Sequence, residues 1–463
     1  MTSEQSLAAS AGVPPPPSPA PQEAATPSPL PGIRSPFDRI LSANHTFILP
    51  PQALRRGLVS RGDRARLRRF LLKLAHVEPV RVGFLGGSIT RGHGASRPGA
   101  TDFAARFSEW ILALSPGAVL SVGAVPASSS RYHELCMGHH LQADNDLVVV
   151  ELGINDGAVP YSELHQAHER VVRRLLAGSS RPALVEAFFY EFREATLPWG
   201  PPPPLFGATG ADALGVLAQY YGLPFVSFRN AAWRGVQGNV TGLQARDLLL
   251  GDRMHPTDRG SHVMLDLLVG LMREEASALG SSEPWGEADE AVLAEALPSP
   301  MFKDNEDGGG KGVCFTDERA RVLVDGNGTS GFEWVDEARA GQTPKWGFVG
   351  RAANDTLELE LDTTTPLSAE AAAKPDAAVN VGMLYLQSYE KMGRAEWTCV
   401  AGCTCKTTTL DGLTARRVSE TAVNSKRVSA HESCRMRLRI VPYVNVTQEP
   451  KFKYVGVAVS TGF

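Results

Sequence analysis

The sequence has no run approaching the roughly 20 apolar residues that a membrane-spanning helix requires, so no bilayer span is expected. It also lacks basic excess. Its formal net charge is −4 over 463 residues, and a nucleic-acid binder would present a basic face. The first 35 residues are dominated by Pro, Ala and Ser and lack a large apolar side chain almost entirely until Leu30. Such a segment cannot bury enough surface to offset the entropy of ordering, so residues 1–35 are expected to be a disordered tail. They also lack the charged-then-apolar order of a secretory leader. No Gly-rich phosphate loop and no metal-ligand triad is present, so no cofactor and no metal are expected.

Cysteine is scarce and uneven: Cys136 stands apart, while Cys314, Cys399, Cys403, Cys405 and Cys434 fall in the last third. Five thiols in one small region point to disulfides and an oxidising compartment. The C-x3-C-x-C spacing is not that of a zinc knuckle, and no His lies close by. Five of the eleven Asn residues sit in N-x-[ST] sequons, namely Asn44, Asn239, Asn327, Asn354 and Asn445. Chance would supply roughly one or two, so glycosylation at these positions is expected. Together these features predict a secretory-pathway or extracellular protein whose signal or anchor is not visible in this N-terminus.

What is present is globular: 43% hydrophobic and 21% charged residues over a length that predicts two folded units plus linkers. Residues 36–77 read as a lead-in with one helix around 61–74. The basic run Arg55–Arg69 is expected to be the solvated face of that amphipathic helix. Over 78–277, strands at 80–86, 119–123, 146–153, 183–190 and 224–228 alternate with helices at 101–114, 162–176, 211–221 and 258–273. That alternation predicts a three-layer α/β domain around a parallel sheet, with rim loops at Pro198–Pro204 and Asn230–Leu250. An acidic, Gly-rich linker covers 278–312. Beyond it, over 313–463, the pattern becomes period-two alternation at 357–361, 379–389, 394–400, 435–441 and 453–459. This predicts an antiparallel β-sandwich or jelly-roll. Its Trp334, Trp346, Tyr385, Tyr389 and Trp397 either fill the sandwich core, the expected role, or offer sugars an aromatic platform.

Three motifs stand at strand ends, where open α/β sheets place their ligands. Gly86-Gly87-Ser88-Ile89-Thr90 presents a serine after a glycine turn. Gly153-Ile154-Asn155-Asp156 brings a neutral amide, a donor that stabilises developing negative charge without titrating. Asp252-Arg253-Met254-His255-Pro256 sets a carboxylate three residues before a histidine, where it can fix the tautomer and leave the second ring nitrogen for a hydroxyl. Each alone is an ordinary turn or cap; the three at one rim are expected to form one active site.

These blocks resemble those of the SGNH/GDSL hydrolase superfamily, over about 200 residues. The resemblance implies Ser88 as nucleophile, His255 as general base, Asp252 as its partner, and an acyl-enzyme intermediate. It implies an oxyanion hole made by the N–H of Ser88, the Asn155 amide and a third donor. The stretch Gly123–Ser128 resembles the segment where related proteins place a glycine after a proline. Ala127 occupies that point, with Gly123 as a fallback. Ala retains the N–H, but a positive φ there would cost it about 1 kcal/mol or more.

The function expected is a serine esterase hydrolysing O-acyl, chiefly O-acetyl, esters of a small molecule or glycan. The alternatives are a carbohydrate O-acetyltransferase and a non-catalytic glycan-binding protein retaining the fold. Other histidines carry no expected role in catalysis: His93 as an exposed loop residue, His139 and His140 as surface or structural residues, His262 as a solvent-facing or packing residue. Glu151 is expected to pair with an Arg. Oligomeric state, acyl group and disulfide connectivity are not encoded legibly.

Overall fold

The computed structural model describes residues 35–190, 192, 206–207, 209–305, 312–338, 344–415, 419–443 and 450–462. The expected disordered tail (apart from Ser35), the Pro198–Pro204 excursion and the Asn445 sequon lie outside the described residues.

Among the described residues the first sheet has six strands: β1 (Leu58–Ser60), β2 (Arg81–Gly86), β3 (Val119–Ala124), β4 (Leu147–Glu151), β5 (Ala183–Phe188) and β6 (Phe225–Ser227). Their spatial order is β1-β6-β5-β4-β2-β3. β2 to β6 are parallel, as the alternation of strands and helices predicts. β1 adds an antiparallel edge, so the five-strand reading is corrected to six. β4 (LVVVE) is buried at all five positions, the signature of a strand covered on both faces.

The helices around this sheet are α1 (Asp38–Ser42), α2 (Pro51–Gly57), α3 (Ala65–Ala75), α4 (Phe103–Leu114), α5 (Ser130–His140), α6 (Gly153–Asp156), α7 (Glu163–Ala177), α8 (Gly210–Tyr220), α9 (Phe228–Gln237), α10 (Ala245–Leu248), α11 (Asp258–Gly280) and α12 (Glu287–Ala294), and two short ones, α13 (Glu318–Arg321) and α14 (Ala369–Ala372), lie among the later strands. Strand side chains alternate between two cores. Phe84, Val149 and Val185 pack with side chains of α3, α4, α9 and α11. Leu85, Val148, Val150 and Leu184 pack with side chains of α7 and α8. α9 occupies part of the segment read as a rim loop at 230–250, and α5 lies where no element was expected.

The basic run is split between α2, where Arg55 is exposed, and the start of α3, and from Arg61 onward it is not a solvated face. Arg61 and Arg64 both bond Glu275, at 2.5 and 2.7 Å, and Arg68 bonds Asp289 at 2.6 Å. Arg69 donates to the carbonyls of Ser180 and Arg181. The partners Glu275 and Asp289 come from α11 and α12, over 200 residues later, which is why local periodicity misses them. α12 also shows that the stretch read as a linker is partly helical and held against α3.

Among the described residues eleven antiparallel strands follow: β7 (Gly312–Thr316), β8 (Val324–Ser330), β9 (Phe332–Asp336), β10 (Trp346–Gly350), β11 (Thr356–Leu361), β12 (Ala378–Gln387), β13 (Arg394–Ala401), β14 (Thr408–Asp411), β15 (Glu420–Ser429), β16 (Cys434–Val441) and β17 (Phe452–Ser460). One sheet runs β15-β12-β17-β10-β9 with β7 paired to β17, the other β14-β13-β16-β11-β8. Their inner faces share one core that includes Trp397, Tyr385, Met436 and Tyr454, a sandwich as the alternation predicts. Tyr385 and Trp397 therefore fill the interior, whereas Trp346 and Tyr389 are exposed. Trp334 stacks on Trp346 with ring centroids 5.9 Å apart.

All six cysteines are paired. Cys399–Cys405 and Cys403–Cys434 lie within the sandwich, which accounts for the C-x3-C-x-C cluster without a metal. Cys136, which stood apart in the sequence, joins Cys314 and so ties α5 to β7. Around this bond Tyr132 and Leu135 of α5 pack on Leu384 and Ala458 of the sandwich. The bond spans 178 residues, and long-loop closure restricts the unfolded chain strongly. Replacing Cys136 and Cys314 together by Ala is expected to cost about 3 kcal/mol, measured as a lower urea midpoint. A midpoint equal to that of the wild type would count against the cross-link.

Candidate active site at the carboxyl edge of the parallel sheet

Strand register sets the site. Gly86 of β2 is paired with Ala124 of β3 on one side and Glu151 of β4 on the other. Ser88, Ala127 and Asn155 are therefore two, three and four residues beyond one row of the sheet (88−86, 127−124, 155−151). Three loops that are remote in the chain are forced to the same rim. The two glycines before Ser88 serve close approach. A Cβ on Gly86 would lie 2.0 Å from Thr90 Oγ1, and one on Gly87 would lie 2.6 Å from Asn155 Oδ1. Asn155 is thus held against the backbone immediately before Ser88.

His255 arrives from the far end of the chain. Thr257 caps α11 by accepting from the Gly260 amide, which fixes the helix start two residues after the imidazole. Ser88 Oγ donates to His255 Nε2 at 2.8 Å, and His255 Nδ1 donates to Asp252 Oδ2 at 2.6 Å. The other Asp252 oxygen accepts from the amides of Met254 and His255 at 2.9 and 3.0 Å. Partial burial opposes ionisation of Asp252, but the His255 hydrogen bond and these two amides outweigh it and hold its pKa below the usual carboxylate value. A serine hydroxyl, an imidazole and an ionised carboxylate so aligned can move a proton off the hydroxyl while the imidazolium is stabilised.

Ala127 has φ of +62°, so the position does take the conformation that favours glycine. Gly123, the fallback, lies inside β3 opposite Leu85; its missing Cβ makes room for His140, at 2.5 Å. Among the described residues no hydrogen bond claims the N–H of Ser88, the N–H of Ala127 or the side-chain amide of Asn155. The structure thus brings together Ser88, Ala127, Asn155, Asp252 and His255 and leaves Gly123 in the strand.

Behind these loops is a buried polar network that the sequence did not reveal. Asp156 accepts from the Ser130 amide at 2.8 Å and from the Ser130 hydroxyl, pinning the start of α5. His168 bridges Ser130 Oγ and Glu186, each at 2.9 Å. Burial alone would strip its proton, but Glu186 and Asp156 prevail and push its pKa up to about 10. Ser128 Oγ donates to the Val125 carbonyl at 2.7 Å and accepts from His133 Nε2 at 2.9 Å. Burial and the neighbouring His140 push His133 down to about 3, so it stays neutral. No sequence signal marks this network, because its members are 5 to 38 residues apart on different elements.

The remaining residues of interest divide plainly. His93 is exposed yet its ring packs against that of His255, tilted by 38° with centroids 4.1 Å apart. Burial chiefly, then His255, lowers its pKa, and Lys345 just before β10 acts in the same sense. His140 bonds Tyr132 OH at 2.8 Å, and His139 is exposed. His262 receives Arg106 on Nδ1 at 3.0 Å, so its proton sits on Nε2, facing Thr46 O at 3.0 Å and Asp266 at 3.4 Å. With His45 it clusters around Asp266, but it offers a donor there rather than a metal-binding lone pair. A cleft of about 640 Å³ flanks the Asp252 turn, lined by Phe192, Asn239, Arg246, Leu249 and Arg253 among others.

Glu151 departs from expectation. Its partner is the Thr90 hydroxyl at 2.9 Å, not an Arg, and its Oε1 is buried without a partner. Burial pushes its pKa up to about 8. The folded state therefore keeps a proton that the unfolded chain loses near its ordinary value of 4.5, so this group's contribution to stability falls as pH rises from about 4.5 through 8. Glu151→Gln is expected to raise the melting temperature by about 2–4 °C at pH 8.5 and to leave it nearly unchanged at pH 4.5. Equal shifts at both pH values would contradict a buried, protonated carboxyl.

Residues 84–263 match the sequence profile of the GDSL-like lipase/acylhydrolase family. No curated protein matches the sequence significantly. Among solved structures, a two-domain esterase (CEX) active on acetylated mannans matches with 18% identity and a TM-score of 0.60, over 89% of this chain and 99% of that one. The same esterase co-crystallised with mannopentaose matches with 18% identity and a TM-score of 0.59, over 89% and 98%. At that identity the likeness concerns the fold, and its coverage takes in both the parallel sheet and the sandwich. With the family profile lying across the strand ends where Ser88, Asn155 and His255 meet, the α/β domain belongs to the GDSL-like lipase/acylhydrolase family, and the chain is an ester-hydrolysing enzyme.

Proposed function

We propose that this protein is a serine esterase that removes O-acyl groups, chiefly O-acetyl groups, from carbohydrate through a Ser88–His255–Asp252 triad. The observation that carries the reading is the continuous pair of hydrogen bonds, 2.8 Å from Ser88 Oγ to His255 Nε2 and 2.6 Å from His255 Nδ1 to Asp252. It stands beside the three unclaimed donors of Ser88, Ala127 and Asn155. His255 takes the Ser88 proton as Oγ attacks the ester carbonyl, and the three donors receive the developing oxyanion. Collapse of the tetrahedral intermediate sends the His255 proton to the leaving sugar oxygen and leaves the acyl group on Ser88. Water then attacks the acyl-enzyme, with His255 again as base. No metal or cofactor is required by these steps.

The carbohydrate part of the proposal draws on the esterase of like fold that is active on acetylated mannans. It is supported by the exposed Trp346, stacked on Trp334 at the β9–β10 end from which Lys345 acts on His93. Such a ring is suited to a sugar face. Four sequon asparagines, Asn44, Asn239, Asn327 and Asn354, are exposed, which fits a glycosylated protein of the secretory pathway. Among the described residues no helix is long and apolar enough to cross a membrane.

Ser88→Ala is expected to abolish labelling by a fluorophosphonate probe and release of acetate from acetylated mannan. Wild-type protein that resists the probe would remove Ser88 as nucleophile. Asn155→Ala is expected to reduce kcat by about 10²–10³ with folding intact; unchanged turnover would take Asn155 out of the mechanism.

A further inference from the structure

Ala127 is held in a left-handed conformation, φ +62°, that carries a steric penalty for any residue with a Cβ. Within its own loop the Ser128 amide and hydroxyl both reach back to the Val125 carbonyl, at 3.1 and 2.7 Å. The Ala127 carbonyl is taken from elsewhere: the backbone N–H of Thr421 donates to it at 2.9 Å. Thr421 lies on β15, the terminal strand of its sheet, opposite Leu386 of β12. An edge strand turns alternate amides away from its only neighbour, and such outward donors ordinarily face solvent. Here one of them is spent on a turn about 300 residues earlier in the chain (421−127). The approach is not incidental. The Cys136–Cys314 bond, the packing of Tyr132 and Leu135 on Leu384 and Ala458, and the seat of Leu135 against Gly382 of β12 clamp α5 to the sandwich directly after this turn.

We propose that Thr421 is a positioning residue for the acyl-transfer step: its amide, delivered by the β-sandwich, holds the Ala127 carbonyl and so keeps the Ala127 N–H aimed at the oxyanion. This rests on the esterase reading above. The physical logic is that a carbonyl fixed in space fixes ψ of its own residue. An Ala that is free to relax would leave the left-handed region and carry its N–H away. A glycine would need no such restraint, because it occupies that region without penalty. The sandwich thereby becomes a working part of the hydrolytic site, supplying the restraint that the side chain at 127 makes necessary.

The test uses the full chain and three variants: Thr421→Pro, Ala127→Gly and the double variant. Proline removes only an outward amide on an edge strand, where it is tolerated, and Glu420 before it is already extended. The probes are fluorophosphonate labelling of Ser88 and kcat and KM on an aryl acetate, with melting temperature recorded beside them. Thr421→Pro is expected to slow labelling and lower kcat about tenfold while KM stays within about twofold, as for one lost hydrogen bond that matters in the transition state. In the Ala127→Gly background the same proline is expected to change kcat by no more than about twofold. A merely structural role for Thr421 would lower both backgrounds equally, and that result overturns the proposal. So does a Thr421→Pro protein that is labelled at the wild-type rate while wild type and Ser88→Ala behave as a serine esterase should. A wild-type protein not labelled at Ser88 refutes the esterase reading itself, and the positioning role falls with it.

Discussion

The constraint on which the rest depends is the register of three parallel strands. Because Gly86, Ala124 and Glu151 sit side by side, the loops that follow them have nowhere to go but the same rim. The hydroxyl, the left-handed amide and the carboxamide are therefore assembled by backbone hydrogen bonding before any side chain is chosen. What side chains then decide is fine placement. The missing Cβ atoms of Gly86 and Gly87 let Thr90 and Asn155 close in, and the Thr257 cap starts α11 where His255 can reach Ser88. A slip of one residue between β2 and β4 would turn every strand side chain to the opposite core and move Asn155 off the serine.

Beneath this rim the polar interior is arranged to keep loops still rather than to react. His168 carries its proton because two carboxylates surround it, and it ties Ser130 and Glu186 into one buried unit. His133 is neutral for the opposite reason, burial without an acid, and it serves as a donor to Ser128. Glu151 completes the pattern as a carboxyl that stays protonated beside Thr90. Of these three buried groups one is cationic and two are neutral, each for a reason set by its neighbours. The Asp252–His255 pair, by contrast, is partly open to solvent.

The sequence made the architecture legible where elements are strongly patterned. The run LVVVE of β4 and the motifs GGS, GIND and DRMH could be placed at strand ends without coordinates, since burial on both faces demands unbroken apolar residues and turns demand glycine. α5 was invisible. Its SRYHELCMGHH buries Ser130, His133 and Glu134 among apolar residues, so it shows no clean stripe. β15 escaped for a related reason: as a half-exposed edge it lacks alternation. The partner of Cys136 and the acids that meet Arg61, Arg64 and Arg68 lie hundreds of residues away, and nothing local announces a contact of that kind. Of these, the Cys136 partner joins the two halves of the molecule, whereas the acids tie α11 and α12 to α3 within the first.

The segment between the two sheets carries its own consequence. Asn305 is buried, donating to Glu169 and to the Gln166 carbonyl while accepting from Arg170, and Asp289 neutralises Arg68. Trimming the polypeptide at the last residue of α11 would thus leave Arg68 and Arg170 without these acceptors in a low-dielectric interior, a costlier defect than losing a spacer. A self-standing hydrolase fragment has to extend through position 305, so the natural seam of this molecule falls later than its secondary structure alone suggests.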